Sequence, residues 1–443
     1  AHRNLVPDIS VWGRFLMKSH SCFVCVFLLL VPLGIVCSGR VGYAFSDSAV
    51  SELVYSENRS AMHKIHDSFA PSTYVALLVP AEDFEAEKAI LRETADLPGI
   101  KNATGLANIE VENGHMLTDL YTPRMFSELL DISYEQAALL FQAYGIRNEQ
   151  YQSIFGVTER YEVPLIDMLL YLFDVMDRGV VELPADRVDE LNTLRESIER
   201  GIRQLRGKNW NRLVFTSSLP VEGEESIALV EKLRGIAEQH YGKGSVLVVG
   251  DITSARDLSA SYTSDSSLIS LLTIAFVYTI LLFTFRTFAG SAILVFVIQG
   301  SIWINFSFPY LRGQHPMFVT NMIVSAIEMG ATIDYAIVLM NRYLAMKQSL
   351  PKKAAMVQAV RQSFPTVLTS GSIMTLAGLL IAFRVSDVYV GHIGLGVGRG
   401  AMISVILVLT VLPQLLVLLD GTIEKTTLHV SLRDNMQQGE KAT

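Results

Sequence analysis

Cysteine is almost missing from this 443-residue chain. The three present, Cys22, Cys25 and Cys37, all fall in one apolar block near the start. No disulfide framework can brace the rest of the chain. The Cys22-x-x-Cys25 spacing, inside an apolar run, reads as small buried thiols rather than a redox or metal motif. Charge is scarce as well, at 18% of residues against about a quarter in an average soluble domain. Catalytic signatures are missing too. There is no Gly-x-Ser-x-Gly elbow, no His-Glu-x-x-His and no phosphate-cradling glycine loop. The His63/His66 pair, three apart on a helical pattern, reads as a solvated face, and His115 and His240 stand apart. No metal or cofactor is expected, and an enzyme of covalent chemistry is the least favoured class.

What the chain has instead is apolar length. Half of its residues are hydrophobic and its mean hydropathy is +0.34. The excess gathers into blocks at 20–38, 267–285, 289–308, 318–341, 364–383 and 395–419. At about 1.5 Å per residue each is long enough to cross a hydrocarbon core of about 30 Å. The sequence therefore predicts six spans. Residues 46–265 lie between the first two blocks and have ordinary globular composition, enough to bury a core.

Charge sets the expected orientation. Residues 46–265 hold 36 Asp and Glu against 20 Lys and Arg, a net of −16, whereas the remainder holds 8 acids against 16 bases, a net of +8. The 342–362 loop carries Arg342, Lys347, Lys352, Lys353 and Arg361 with no acid, and Arg3, Arg14 and Lys18 precede the first block. Bases in short flanking loops mark the cytoplasmic side. Both the 1–19 linker and the 420–443 tail are expected there, with the acidic region outside. Such an acidic region is a poor match for nucleic acid.

The two ends of the acidic region read alike. Tyr74–Val79 is strand-like, Asp83–Ala95 helical with Asp83 at its cap, and a second strand-like segment follows near 100–107. Arg212–Ser217, Ser226–His240 and Ser245–Val249 repeat the strand–helix–strand order. Two such units predict a ferredoxin-like α/β sandwich. A helical pattern also covers 55–69. Between the units, residues 113–208 read as a helical insertion, with segments near 125–130, 134–144, 164–176 and 186–205. Its Leu, Phe and Tyr positions suit simple core packing, with an apolar groove for an amphiphile as the sharper alternative.

The fourth block contains the costly residues. Glu328 and Asp334 sit in the middle of FVTNMIVSAIEMGATIDYAIVLMNRY, residues 318–343. A carboxylate at bilayer depth costs a few kcal/mol, tends to face a bundle interior, and marks a proton or ion path. Six residues place Glu328 about 120° around the helix from Asp334 and about 9 Å along it, so the two do not form an obvious dyad. Gly330 lies one turn from Asp334 and permits close helix approach. Tyr335 is placed to hydrogen-bond a neighbour. The last two blocks supply Ser370, Gly371, Gly378, Gly394, Gly396, Gly398 and Gly400. The glycines read as tight helix packing and the hydroxyls as candidate relay groups. Pro365 is expected to start the fifth helix and Pro413 to kink the sixth.

The run Gly330-Ala-Thr-Ile-Asp334-Tyr335-Ala-Ile, followed by Arg342, resembles the fourth-helix signature of the MMPL transporters of the resistance-nodulation-division superfamily. Phe364-Pro365-Thr-Val-Leu-Thr-Ser370, Gly398-Arg399-Gly400-Ala-Met-Ile-Ser404 with Leu412-Pro413, and Val249-Gly250-Asp251 also match. The resemblance implies a proton-motive-force-driven exporter of lipids, hydrophobic drugs or amphipathic peptides. Asp334 would carry the proton, with Tyr335 as its hydrogen-bonding partner and Glu328 and Ser370 as further relay groups. The 46–265 region would be the porter domain. The chain resembles one half of such a transporter, the C-terminal one. It implies an N-terminal half as partner, joined or separate, alongside membrane lipids and a bacterial, Gram-positive plasma membrane, with oligomeric assembly open. Two other classes stay in view: a protein-translocation accessory and a lipid-sensing scaffold of the same superfamily.

Overall fold

The computed structural model describes residues 10–19, 21–51, 60–61, 64–65, 68–69, 72–81, 83–112, 114–148, 161–179 and 185–427. Most of the expected helix at 55–69, the His63/His66 pair and the tail beyond 427 lie outside them. The chain divides into two compact units, Ala1–Lys64 with Leu258–Thr443, and Ile65–Asp257.

The chain begins with α1 (Ser10–Lys18), followed after a 73° bend by α2 (Cys22–Ser38). A bend leaves backbone acceptors without helical donors. Here the Gln414 amide donates to Leu16 O at 2.9 Å and to Ser19 Oγ at 2.7 Å. Cys22 and Cys25 are exposed on α2 and only Cys37 is buried, unlike the buried thiols expected for the pair.

The second unit is built on a four-stranded antiparallel sheet. Its strands are β1 (Thr73–Pro80), β2 (Ile100–Thr104), and two that arrive later in the chain. Between β1 and β2 runs α3 (Phe84–Ala95), whose first turn is capped by Asp83 Oδ1 accepting from Ala86 N at 2.9 Å. The insertion follows. It comprises β3 (Glu110–Glu112), β4 (His115–Met116), β5 (Leu120–Tyr121), α4 (Pro123–Leu130), α5 (Tyr134–Arg147), β6 (Val163–Pro164), α6 (Leu165–Asp177) and α7 (Ala185–Leu205). Thr122 and Ser133 cap α4 and α5. The insertion has its own core around Phe126, Phe141, Leu169 and Phe173. The chain then adds β7 (Trp210–Ser217), α8 (Glu224–Tyr241) and β8 (Leu247–Gly250). The sheet order is β2-β7-β1-β8, with β7 antiparallel to both β1 and β2. Alternation along β1 buries Val75, Leu77 and Val79 against Ile90 of α3 and Leu233 of α8.

Five long helices follow: α9 (Asp251–Phe285), which belongs to the first unit from Leu258 on, α10 (Phe288–Leu311), α11 (Phe318–Lys347), α12 (Lys352–Arg384) and α13 (Val388–Leu418), and then short α14 (Asp420–Lys425). These five are long and apolar enough to cross a membrane, and a sixth span requires α1 and α2 to be taken as one bent pair. All five helices are longer than the apolar blocks suggested. In particular α12 starts at Lys352, so Pro365 sits inside it and not at its start. The helix tolerates it with one donor lost, and Thr369 Oγ1 donates to Pro365 O at 2.7 Å. Within its most apolar stretch α13 is 72% buried and α9 only 11%, so α13 is central and α9 peripheral.

Candidate functional site

The close approach of α12 and α13 rests on glycine. A Cβ on Gly378 would lie 2.5 Å from Gly398 N and 2.7 Å from Gly394 O, and one on Gly371 would collide with Val405. Two other α13 glycines, Gly396 and Gly400, open the opposite side of that helix. A Cβ at Gly400 would run into the Glu328 carboxylate and the Asn305 amide. Small residues thus clear a chamber between α10, α11 and α13, and polar groups fill it.

Glu328 occupies that chamber, 1% exposed. Ser301 Oγ donates to its Oε1 at 2.7 Å and Asn305 Nδ2 to its Oε2 at 2.8 Å. The same Asn305 amide donates to Gly396 O at 2.9 Å, and Ser404 Oγ lies 2.6 Å from Ser301 Oγ. Arg399 Nε donates to Asn305 Oδ1 at 2.6 Å, and its guanidinium sits over the Phe308 ring at 4.9 Å. Ser301, Asn305 and Phe308 fall on one face of α10 at spacings of four and three. A carboxylate and a guanidinium are therefore joined through one carboxamide inside the apolar bundle. Asn305 and Ser301 were missed by sequence reasoning. The only available signal was an Asn and a Ser, four apart, within an apolar block.

Asp334 behaves differently. It is exposed, and among the described residues it makes no hydrogen bond or ion pair. Intramembrane carboxylates usually face their own bundle, but here the inward direction is taken by Glu328. Six residues further on, the helix has turned Asp334 to the other side. Ile323, Ile327, Gly330 and Asn341 share its open face. Gly330 does not pack as expected, because a Cβ there would meet nothing within 4 Å. Tyr335 is buried and points to α12, its hydroxyl donating to Met374 Sδ at 3.8 Å. Ser370 is exposed and lines a shallow concavity with Pro365, Thr366, Thr369 and Ile373. The four expected relay residues do not form one hydrogen-bonded chain: Glu328 belongs to the enclosed cluster and Asp334 to the open face.

A third feature lies among α2, α9, α10 and α11. A cavity of about 350 Å³ is lined by Ser38, Tyr43, Ser266, Ser270, Thr273, Gln299, Asn321 and Ser325 together with apolar side chains, and no lining residue is charged. Asn321 Nδ2 donates to Tyr262 OH at 2.7 Å beside it. Among the described residues no group of three or more His, Cys, Asp or Glu could hold a metal ion.

Long apolar helices holding enclosed polar groups define a polytopic membrane protein. The model of the MMPL family matches residues 208–427, and over that stretch the chain belongs to the MMPL family, a family of membrane transporters. It is 26% identical over 214 residues to the membrane protein ActII-3 of Streptomyces coelicolor, covering 47% of this chain and 30% of that protein. A second membrane protein of the same organism is 27% identical over 222 residues, 46% of this chain and 25% of that one. The matched stretch thus spans less than a third of either relative. Among solved structures, a heavy metal efflux pump aligns over 97% of this chain and 51% of its own at a TM-score of 0.45 and 12% identity, a likeness too loose to carry an argument.

Proposed function

We propose that this chain is one half of a proton-driven exporter of lipids or other amphipathic molecules, with Asp334 as the intramembrane proton carrier. The carrying observation is the placement of Asp334: mid-helix, on a face its own bundle leaves open, without a partner among the described residues. Ionised in hydrocarbon, such a carboxylate costs several kcal/mol; protonated, it costs far less. Proton uptake therefore changes how α11 can pack against whatever covers that face, and a second six-helix half is the covering that fits. Family membership over 208–427 supports transport as the class.

The remaining features support the finer reading. The sheet order β2-β7-β1-β8, with one helix following β1 and one following β7, is that of a ferredoxin-like sandwich and suits a porter domain. The acid-free basic stretch 342–362, which the structure folds as the end of α11, a short turn and the start of α12, and the acidic second unit favour a cytoplasmic side for the former and an outer side for the latter. The 350 Å³ cavity offers hydroxyls and amides but no charge, which suits the polar head of an amphiphile.

The test is transport in proteoliposomes under an imposed proton gradient. Asp334→Asn should fall to the level of protein-free vesicles while its thermal unfolding in detergent stays unchanged. Transport at the unaltered rate would sink the proposal. Lipid binding indifferent to collapse of the gradient would favour a lipid-sensing scaffold instead.

A further inference from the structure

The α11 helix carries two carboxylates with opposite fates, and the enclosed one is neutralised through named contacts. Glu328 receives hydrogen bonds from two α10 residues, Ser301 and Asn305, and its charge is balanced by Arg399 of α13 acting through the Asn305 carboxamide. Arg312, at the end of α10, is a second cation close enough to act on Arg399. Ser404 is the remaining polar neighbour. A carboxylate buried this deeply is tolerated when donors and a cation surround it, and removing one partner leaves a charge stranded. The cluster is dense: Gly400 is the only residue type that leaves space for it on α13.

We propose that Glu328, Asn305 and Arg399 form a neutral pin that fixes the rotation of α11 about its axis, making Glu328 a positioning residue for Asp334 and not a second proton carrier. Three groups on two other helices hold Glu328 inward. Six residues of helix then carry Asp334 roughly 9 Å along the axis and around to the open face. Loss of the pin lets α11 roll, which changes the surroundings of Asp334 without touching it. The proposal rests on the reading of Asp334 as the carrier.

Dicyclohexylcarbodiimide, which modifies protonated carboxyl groups in apolar surroundings, is the probe. The full chain in detergent is treated from roughly pH 5 to pH 9, the range that perturbed carboxyl groups span, and modified residues are located by mass spectrometry. In the unaltered protein Asp334 should be modified and Glu328 spared. Arg399→Gln should expose Glu328 to modification, whereas Arg399→Lys, which keeps the charge, should spare it. Glu328→Gln should move the pH midpoint of Asp334 modification by about one unit, a tenfold change in proton affinity. Modification of Glu328 beside Asp334 in the unaltered protein overturns the proposal without needing any variant to fold. An unmoved Asp334 midpoint in Glu328→Gln, or a spared Glu328 in Arg399→Gln, does the same. Failure of the carrier reading is a separate result, seen as undiminished transport by Asp334→Asn.

Discussion

At the scale of single residues, burial decides what a carboxylate does, and the chain shows this in the second unit as well as in the helical bundle. Glu87 of α3 is fully buried in the second unit, accepting from Ala107 N at 2.9 Å and Asn211 Nδ2 at 3.1 Å. Burial pushes its pKa above the ordinary 4.5, and these donors pull only partly against it. A raised carboxyl pKa means that the folded state holds the proton more tightly than the unfolded one. This contribution to stability is fully present below the ordinary value and is lost as pH rises through the folded-state value. Glu87→Gln should remove that fall, so that thermal midpoints followed from acid to neutral pH decline less in the variant than in the unaltered protein. An identical pH dependence in both would show that Glu87 is ionised without penalty. Asp119 shows the opposite outcome. Burial works to raise it, but the Lys88 ammonium at 2.8 Å and the Met116 N–H hold its carboxyl below the usual range.

At the scale of helices, the same residue type has opposite consequences according to what lies beside it. Gly378 meets backbone atoms of α13, which cannot move aside as a side chain could. Gly378→Ala should therefore force α12 and α13 apart at a cost of about 1–3 kcal/mol. Gly330 faces open space, and Gly330→Ala should be neutral or stabilising by up to about 1 kcal/mol through helix propensity. Denaturation of both variants in detergent, read by circular dichroism, separates them; equal losses would mean that the α12–α13 contact is looser than its geometry. If a second half packs on the open face, Gly330→Ala should still lower transport while leaving the stability of this chain intact.

At the scale of the whole molecule, the two units have different chemistry: one is acidic and cysteine-free, the other apolar with bases gathered at helix ends, as in the acid-free stretch 342–362. The expected arrangement puts the acidic unit outside and the loop between α11 and α12 inside. Cysteines introduced by Lys243→Cys and by Ser349→Cys, both at exposed positions, test it in a background lacking Cys22, Cys25 and Cys37. A membrane-impermeant maleimide added to intact cells should label the first and spare the second. Labelling of Ser349→Cys in intact cells would reverse the topology and with it the direction of transport.

Apolar length, the segregation of charge and the cap at Asp83 were all legible in the residues, because each depends on neighbours a few positions away. So was the angular separation of Glu328 and Asp334, which follows from helix periodicity alone. Periodicity places residues relative to one another but says nothing of which side of the helix meets its neighbours. Only the packing of α10, α11 and α13 decided that Glu328 turns inward to Asn305 and Arg399, that Gly330 packs on nothing, and that Asp334 is left on the open face. Tertiary packing fixes that choice, through apolar burial and through hydrogen bonds between residues as far apart as Ser301 and Ser404, a separation that no local pattern can report.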